Sequence, residues 1–116
     1  MYDFGYQKVT SLEDAARLLA EDEDALVLAG GQTLLPTLKQ RLAQPSKVLD
    51  LSGISGLNTI SEEGESLWIE ALCRHCDLER SSLLHHHIPA LAALAGMIGD
   101  AQVRNRGTLG GSLANN

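Results

Sequence analysis

The first residues alternate apolar and polar positions, with Tyr2, Phe4 and Tyr6 on one side of an extended chain. That period of two predicts a strand with three rings on one face. A helical period then takes over: Leu12, Ala15, Ala16 and Leu19 fall on one face, and Ser11, three residues ahead of Asp14, supplies an N-cap with an acidic partner. The acidic stretch at residues 21–24 ends this helix. Residues 25–29 are continuously apolar, the pattern of a strand covered on both faces, as parallel strands between helices are. The run stops at Gly30-Gly31. Thr33 stands where an N-cap belongs, Pro36 falls in the first helical turn where a missing N–H costs nothing, and Leu34, Leu38 and Leu42 mark one face of a second helix that Pro45 closes. Residues 47–51 form a third strand. The resulting β-α-β-α-β order predicts a parallel sheet with right-handed crossovers.

After Gly53 and Gly56 the pattern changes. Residues 57–62 and 66–72 read as two strands around Glu63-Gly64-Glu65, a hairpin with Trp68 as its buried ring. A polar helix is expected over residues 77–87. A second starts at Pro89, with Leu91, Leu94, Ala95 and Ile98 on its buried face. From Gly99 to Asn116 the helical period is lost, and Gly99, Gly107, Gly110 and Gly111 are interspersed with Asp100, Gln102, Arg104, Asn105, Arg106, Thr108, Ser112 and Asn115. Val103, Leu109 and Leu113 supply anchors that a solvated tail does not need. The expected organisation is a parallel β/α unit over residues 1–55 and an incomplete second unit, mixed or antiparallel with helices, over residues 56–116.

Composition narrows the function classes. With 116 residues the chain suffices for one modest core or one part of a larger domain. A formal charge of −6 and scattered basic residues argue against a nucleic-acid surface. No apolar run reaches the length of a membrane span, and the N-terminus, with Asp3 and Gln7, lacks the order of a secretion signal, so a cytoplasmic location is expected. Cys73 and Cys76 flank Arg74 and His75. The pair has the spacing of a redox dithiol or of half a zinc site that His85, His86 or His87 would complete, but the histidines lie in a helical pattern and no second ligand pair is spaced for zinc. Buried free thiols are the plainer reading, and the histidine run reads as a solvated helix end.

The two glycine segments carry the remaining chemistry. Glycine lets backbone approach a ligand closely, and consecutive N–H groups after a strand suit an anion, although Gly-Gly before a helix is also a common turn. No third glycine follows Gly31 at the spacing of a Rossmann dinucleotide fingerprint.

The stretch Ala29-Gly30-Gly31-Gln32-Thr33-Leu34-Leu35-Pro36, with Lys39 and Arg41 after it, resembles the first flavin-nucleotide loop of the FAD-binding medium subunits of molybdenum hydroxylases. This family includes the carbon monoxide dehydrogenase medium chain and the xanthine dehydrogenase FAD subunit. The run from Gly99 through Asn115, with Arg104-Asn105-Arg106-Gly107-Thr108-Leu109-Gly110-Gly111-Ser112 at its centre, resembles the family's other FAD loop almost throughout. The resemblance extends from Tyr2 to Asn116. It implies an α/β (α+β) fold of the vanillyl-alcohol-oxidase type, a small parallel subdomain followed by a mixed or antiparallel sheet with helices. Ala29, Gly30, Gly31, Gln32, Thr33 and Leu34 would then wrap the FAD pyrophosphate, and Thr108, Leu109, Gly110, Gly111 and Ser112 would hold it from the other side. Ala71 or Leu72 would also touch the cofactor. Ser112 stands where the family often has Asn, and Cys73-Arg74 where small hydroxyl residues are common. Family members continue well past residue 116, so the chain resembles their front part.

The activity so implied is an oxidoreductase subunit that binds FAD without a covalent link and passes electrons from 2Fe-2S clusters to NAD, a quinone or oxygen. A molybdenum-cofactor large subunit and a 2Fe-2S small subunit are the implied partners. No catalytic acid, base or nucleophile and no metal ligand is expected here, because the flavin carries the chemistry and two cysteines cannot hold a cluster. Two other readings stand beside it: a non-catalytic oligomerisation or subunit-interaction module that no longer holds FAD alone, and a thiol-redox protein built on Cys73 and Cys76.

Overall fold

The computed structural model describes residues 1–115, so the expectations for Asn116 lie outside the described residues. The chain divides into two compact units, Met1–Ser55 and Gly56–Asn116.

The first unit follows the order β1 (Gly5–Lys8), α1 (Leu12–Glu21), β2 (Leu26–Leu28), α2 (Leu34–Lys39) and β3 (Lys47–Asp50), with a short 3-10 turn at Leu51–Gly53. The strands form one parallel sheet in the order β1-β3-β2. The strand buried on both faces is therefore β3, where the successive side chains of Val48 and Leu49 point to opposite faces and both are buried. Residues 25–29 were expected to fill that role, but β2 is an edge and Val27 is exposed. The aromatic alternation at the N-terminus also differs from expectation. Strand β1 begins only at Gly5, and Tyr6, on this edge strand, is 59% exposed while its hydroxyl donates to Asp50 at 2.5 Å.

Ser11 caps α1 as expected, its hydroxyl accepting from the Asp14 N–H at 3.1 Å. The core stripe of α1 is Ala15, Leu18 and Leu19, packed with Val9, Ala25, Leu49, Leu51 and Ile54, while Leu12 is exposed. Helix α2 buries Leu38 but stops at Lys39, well before Pro45. Arg41 takes a left-handed conformation with φ 57°, the Leu42 N–H donates to the Thr37 carbonyl, and the Arg41 N–H donates to that of Leu38. This is a Schellman stop built without glycine. It leaves Leu42 outside the helix and 73% exposed rather than on its buried face.

The second unit opens with an antiparallel hairpin of β4 (Ile60–Glu63) and β5 (Ser66–Ile69). Glu63 pairs with Ser66 and Gly64 has φ 62°, which suits the first central position of a two-residue hairpin turn. Ile60, Leu67 and Ile69 face the core, so the pleat turns Trp68 outward and leaves its ring 54% exposed instead of buried. The polar helix expected over residues 77–87 is two helices, α3 (His75–Arg80) and α4 (Ser82–His87). Ser81 is extended, and its hydroxyl accepts from the Leu84 N–H to start α4. A serine that reads as one more polar helical position has become a cap.

Helix α5 (Pro89–Ala95) buries Ala92 and Ala95 against Cys73, Leu78 and Leu84, while Leu94 faces solvent. The α5 side chains turned toward α3 are small, Ala92 and Ala95 packing in one cluster with Leu78. The closing segment, expected to be irregular, contains α6 (Ala101–Arg104), capped by the Asp100 side chain on the Val103 N–H, and α7 (Leu109–Asn115). The fold is thus mixed α/β, a parallel three-stranded sheet and an antiparallel pair with helices.

Candidate cofactor site

The two glycine segments are built differently. In the first, the chain leaves β2 at Leu28, which lies in register with Asp50 at the carboxyl edge of the sheet. Burial acts to raise the Asp50 carboxyl, but hydrogen bonds from the Tyr6 hydroxyl and the Ser52 N–H outweigh it and hold the group below its ordinary range. Ala29 and Gly30 are half-buried, Gly31 is buried, and Gln32 and Thr33 are exposed. Gly31 has φ 77°, a conformation that strains any residue with a β-carbon. Thr33 occupies the N-cap position of α2 without its hydroxyl acting as a cap. Its carbonyl instead accepts from both the N–H and the hydroxyl of Thr37. Among the described residues, the N–H groups of Gly30, Gly31, Gln32, Thr33 and Leu34 find no acceptor. Successive N–H groups left open beside a positive-φ glycine are the kind of backbone donors that anion sites use.

The second segment spends its N–H groups on the protein. Residues 71–75 act as a template: Leu109 N–H donates to Cys73 at 2.9 Å, Gly110 N–H to Ala71 at 2.8 Å, and His75 N–H to Gly107 at 3.0 Å. Arg74 and Thr108 form an antiparallel bridge. The buried Thr108 hydroxyl accepts from Gly111 N–H at 3.1 Å, and the Thr108 carbonyl accepts from Ser112 N–H. Gly110 is a packing requirement, since a Cβ there would lie 2.7 Å from the Ala71 carbonyl oxygen. Of the five residues expected to contact cofactor, Ser112 is exposed and presents a side-chain hydroxyl.

That hydroxyl has one partner among the described residues, His75 Nε2 at 3.2 Å. His75 is only 3% exposed, and its Nδ1 is buried with no partner among the described residues. Burial pushes the imidazole below its ordinary range, toward the neutral form. In the sequence His75 stands between Cys73 and Cys76 and is not among the expected site residues. Its position next to Cys73-Arg74, where the chain departs from the family pattern, was the available signal.

Cys73 and Cys76 are free and buried. Burial, and after it the Asp77 charge, pushes the Cys73 thiol up, which opposes thiolate chemistry. Among the described residues no group of three or more His, Cys, Asp or Glu could hold a metal ion. An open cleft of about 430 Å³ on the second unit is lined by Cys76, Glu79, Arg80, Ala101, Arg104 and Asn105, none of them an expected site residue.

Comparison with known proteins decides the family. Residues 2–116 match the family described as "FAD binding domain in molybdopterin dehydrogenase". The chain belongs to that family. Within it, the chain is 45% identical over 109 residues to the nicotine 6-hydroxylase medium subunit of Paenarthrobacter nicotinovorans, covering 94% of this chain and 38% of the relative. It is 43% identical over 112 residues to the carbon monoxide dehydrogenase medium chain of Hydrogenophaga pseudoflava, covering 96% of this chain and 39% of that one. Among solved structures, the carbon monoxide dehydrogenase of Hydrogenophaga pseudoflava that lacks the Mo-pyranopterin moiety matches with a TM-score of 0.95 at 42% identity, over 97% of this chain and 40% of that one. Quinoline 2-oxidoreductase from Pseudomonas putida 86 matches with a TM-score of 0.93 at 39% identity, over the same shares. FAD is the cofactor of this domain family. The chain spans about two-fifths of the length of the relatives it matches. No helix among the described residues is long and apolar enough to cross a membrane.

Proposed function

We propose that the chain contacts FAD through Ala29, Gly30, Gly31, Gln32, Thr33 and Leu34 in its first unit and through Thr108, Leu109, Gly110, Gly111 and Ser112 in its second. The observation that carries this reading is the run of N–H groups from Gly30 to Leu34 without acceptors among the described residues, in a domain whose family binds FAD. Backbone donors suit phosphate oxygens, which only accept. The residues of the second segment contribute shape and one hydroxyl, because most of their N–H groups are already engaged. When bound, the flavin supplies reversible electron uptake and release. The polypeptide supplies position, close backbone approach and hydrogen-bond donors. For the whole protein we propose an oxidoreductase subunit that relays electrons from 2Fe-2S clusters to an acceptor such as NAD, a quinone or oxygen, beside a molybdenum-cofactor large subunit and a 2Fe-2S small subunit. The relatives support this, being named as medium subunits or medium chains. A cytoplasmic location is part of the same proposal and is in keeping with two free cysteines.

The test is FAD titration of the apoprotein, followed by visible absorbance and by backbone amide NMR. The expected result is saturable binding in which the Gly30, Gly31, Gln32, Thr33 and Leu34 amides shift and become protected from exchange. Saturable binding that leaves those amides unmoved would reject the site. An absence of binding would favour the subunit-interaction module.

A further inference from the structure

The hydrogen bond between His75 and Ser112 has a direction that the buried ring determines. Two tautomers are open to a neutral imidazole, and each leaves Nδ1 in a different state. If Nδ1 carried the proton, a buried N–H donor would be left without an acceptor among the described residues. If Nε2 carries it, Nδ1 is left as an unpaired acceptor. Unpaired buried acceptors are tolerated more often than unpaired buried donors. The Nε2 proton therefore points at the Ser112 oxygen 3.2 Å away, and the serine acts as acceptor toward the ring. The hydroxyl's own proton then has no other acceptor among the described residues and is available to an external one.

The surroundings hold this arrangement in place. The His75 ring lies against Gly107, where a Cβ would come within 3.0 Å of its Cδ2. The His75 N–H is tied to the Gly107 carbonyl and the neighbouring Arg74 bridges Thr108, so ring and hydroxyl are carried by segments already hydrogen-bonded together. Ser112 itself is exposed, on α7. Resting on the reading that this segment meets FAD, we propose that His75 is a positioning residue that turns the Ser112 hydroxyl into a hydrogen-bond donor for a phosphate oxygen of the cofactor. Phosphate oxygens accept and do not donate, so a serine whose lone pair is occupied from behind presents the proton they need.

The experiment measures FAD affinity of the apoprotein by fluorescence titration, with circular dichroism confirming the fold of each variant. Ser112→Ala, at an exposed position, is expected to weaken FAD about ten- to a hundred-fold, the range for a hydrogen bond to a charged group. His75→Phe, which fills the space without a donor, should lose a similar factor, and the double variant should be no weaker than either single one. His75→Gln, whose amide keeps a donor near the Nε2 position, should stay within about threefold of wild type. Nitrogen-15 NMR of the ring should show the proton on Nε2. Wild-type affinity in Ser112→Ala, losses that add in the double variant, or a proton on Nδ1 would each overturn the inference while leaving FAD binding itself intact. A wild-type apoprotein that takes up no FAD would overturn the functional reading and this inference together.

Discussion

Gly110 donates its N–H to the Ala71 carbonyl at 2.8 Å, and a β-carbon on Gly110 would stand 2.7 Å from that same oxygen. A glycine that resembles part of a ligand cradle is thus required first by the approach of two backbones. Gly110→Ala is expected to lower stability by about 1–3 kcal/mol, as overpacking does, whether or not flavin is present. Thermal unfolding of the flavin-free protein checks this. A variant as stable as wild type would show that the close approach is relaxed in solution.

Arg41 carries the cost of a left-handed backbone at the end of α2, with its guanidinium 5.1 Å from the centre of the Tyr2 ring. The conformation costs about 1–2 kcal/mol for a residue with a β-carbon, and an exposed cation–π contact returns about 0.5–1. Arg41→Gly should therefore be neutral to mildly stabilising. In a Tyr2→Leu background, where the ring contact is already gone, it should stabilise by about 1 kcal/mol. Urea denaturation of the two pairs reads the difference.

The buried imidazole makes stability depend on pH. Because burial holds folded His75 below its ordinary value, the unfolded chain binds the extra proton first as pH falls. Stability from this residue is complete above about pH 6.5 and declines as pH drops from there toward the folded value. Asp50, also held below its ordinary value, acts in the same direction at lower pH, within the carboxylate range. Denaturation midpoints across this range should fall with acidity, and His75→Gln should flatten the upper part of the curve.

Cys73 and Cys76 should be slow thiols. Both are buried, and burial raises Cys73. A colorimetric thiol reagent should label neither on the time scale of an exposed cysteine, and both promptly in denaturant. Rapid reversible oxidation of the pair in the folded protein would revive the thiol-redox reading.

Local chemistry was legible in the chain wherever one residue and its neighbours sufficed. Ser11 caps α1, the β-α-β-α-β order appears with parallel pairing, and Gly64 turns the hairpin. The resemblance of the two glycine segments identified the FAD-binding family, because it rests on residue order alone. What the chain could not reveal depended on partners distant in sequence. Which strand is central was decided by the order β1-β3-β2, and composition does not distinguish an apolar edge strand from an apolar middle one. Trp68 and Leu94 face solvent because the pleat of the hairpin and the packing of α5 on Leu78 and Leu84 assign the inner positions to Leu67, Ile69, Ala92 and Ala95. The two glycine segments looked alike as sequence. Only tertiary structure separated them, leaving the N–H groups of Gly30 to Leu34 without acceptors among the described residues and tying those of Leu109 and Gly110 to residues 71–75, because a backbone donor is free or engaged according to what the fold brings opposite it.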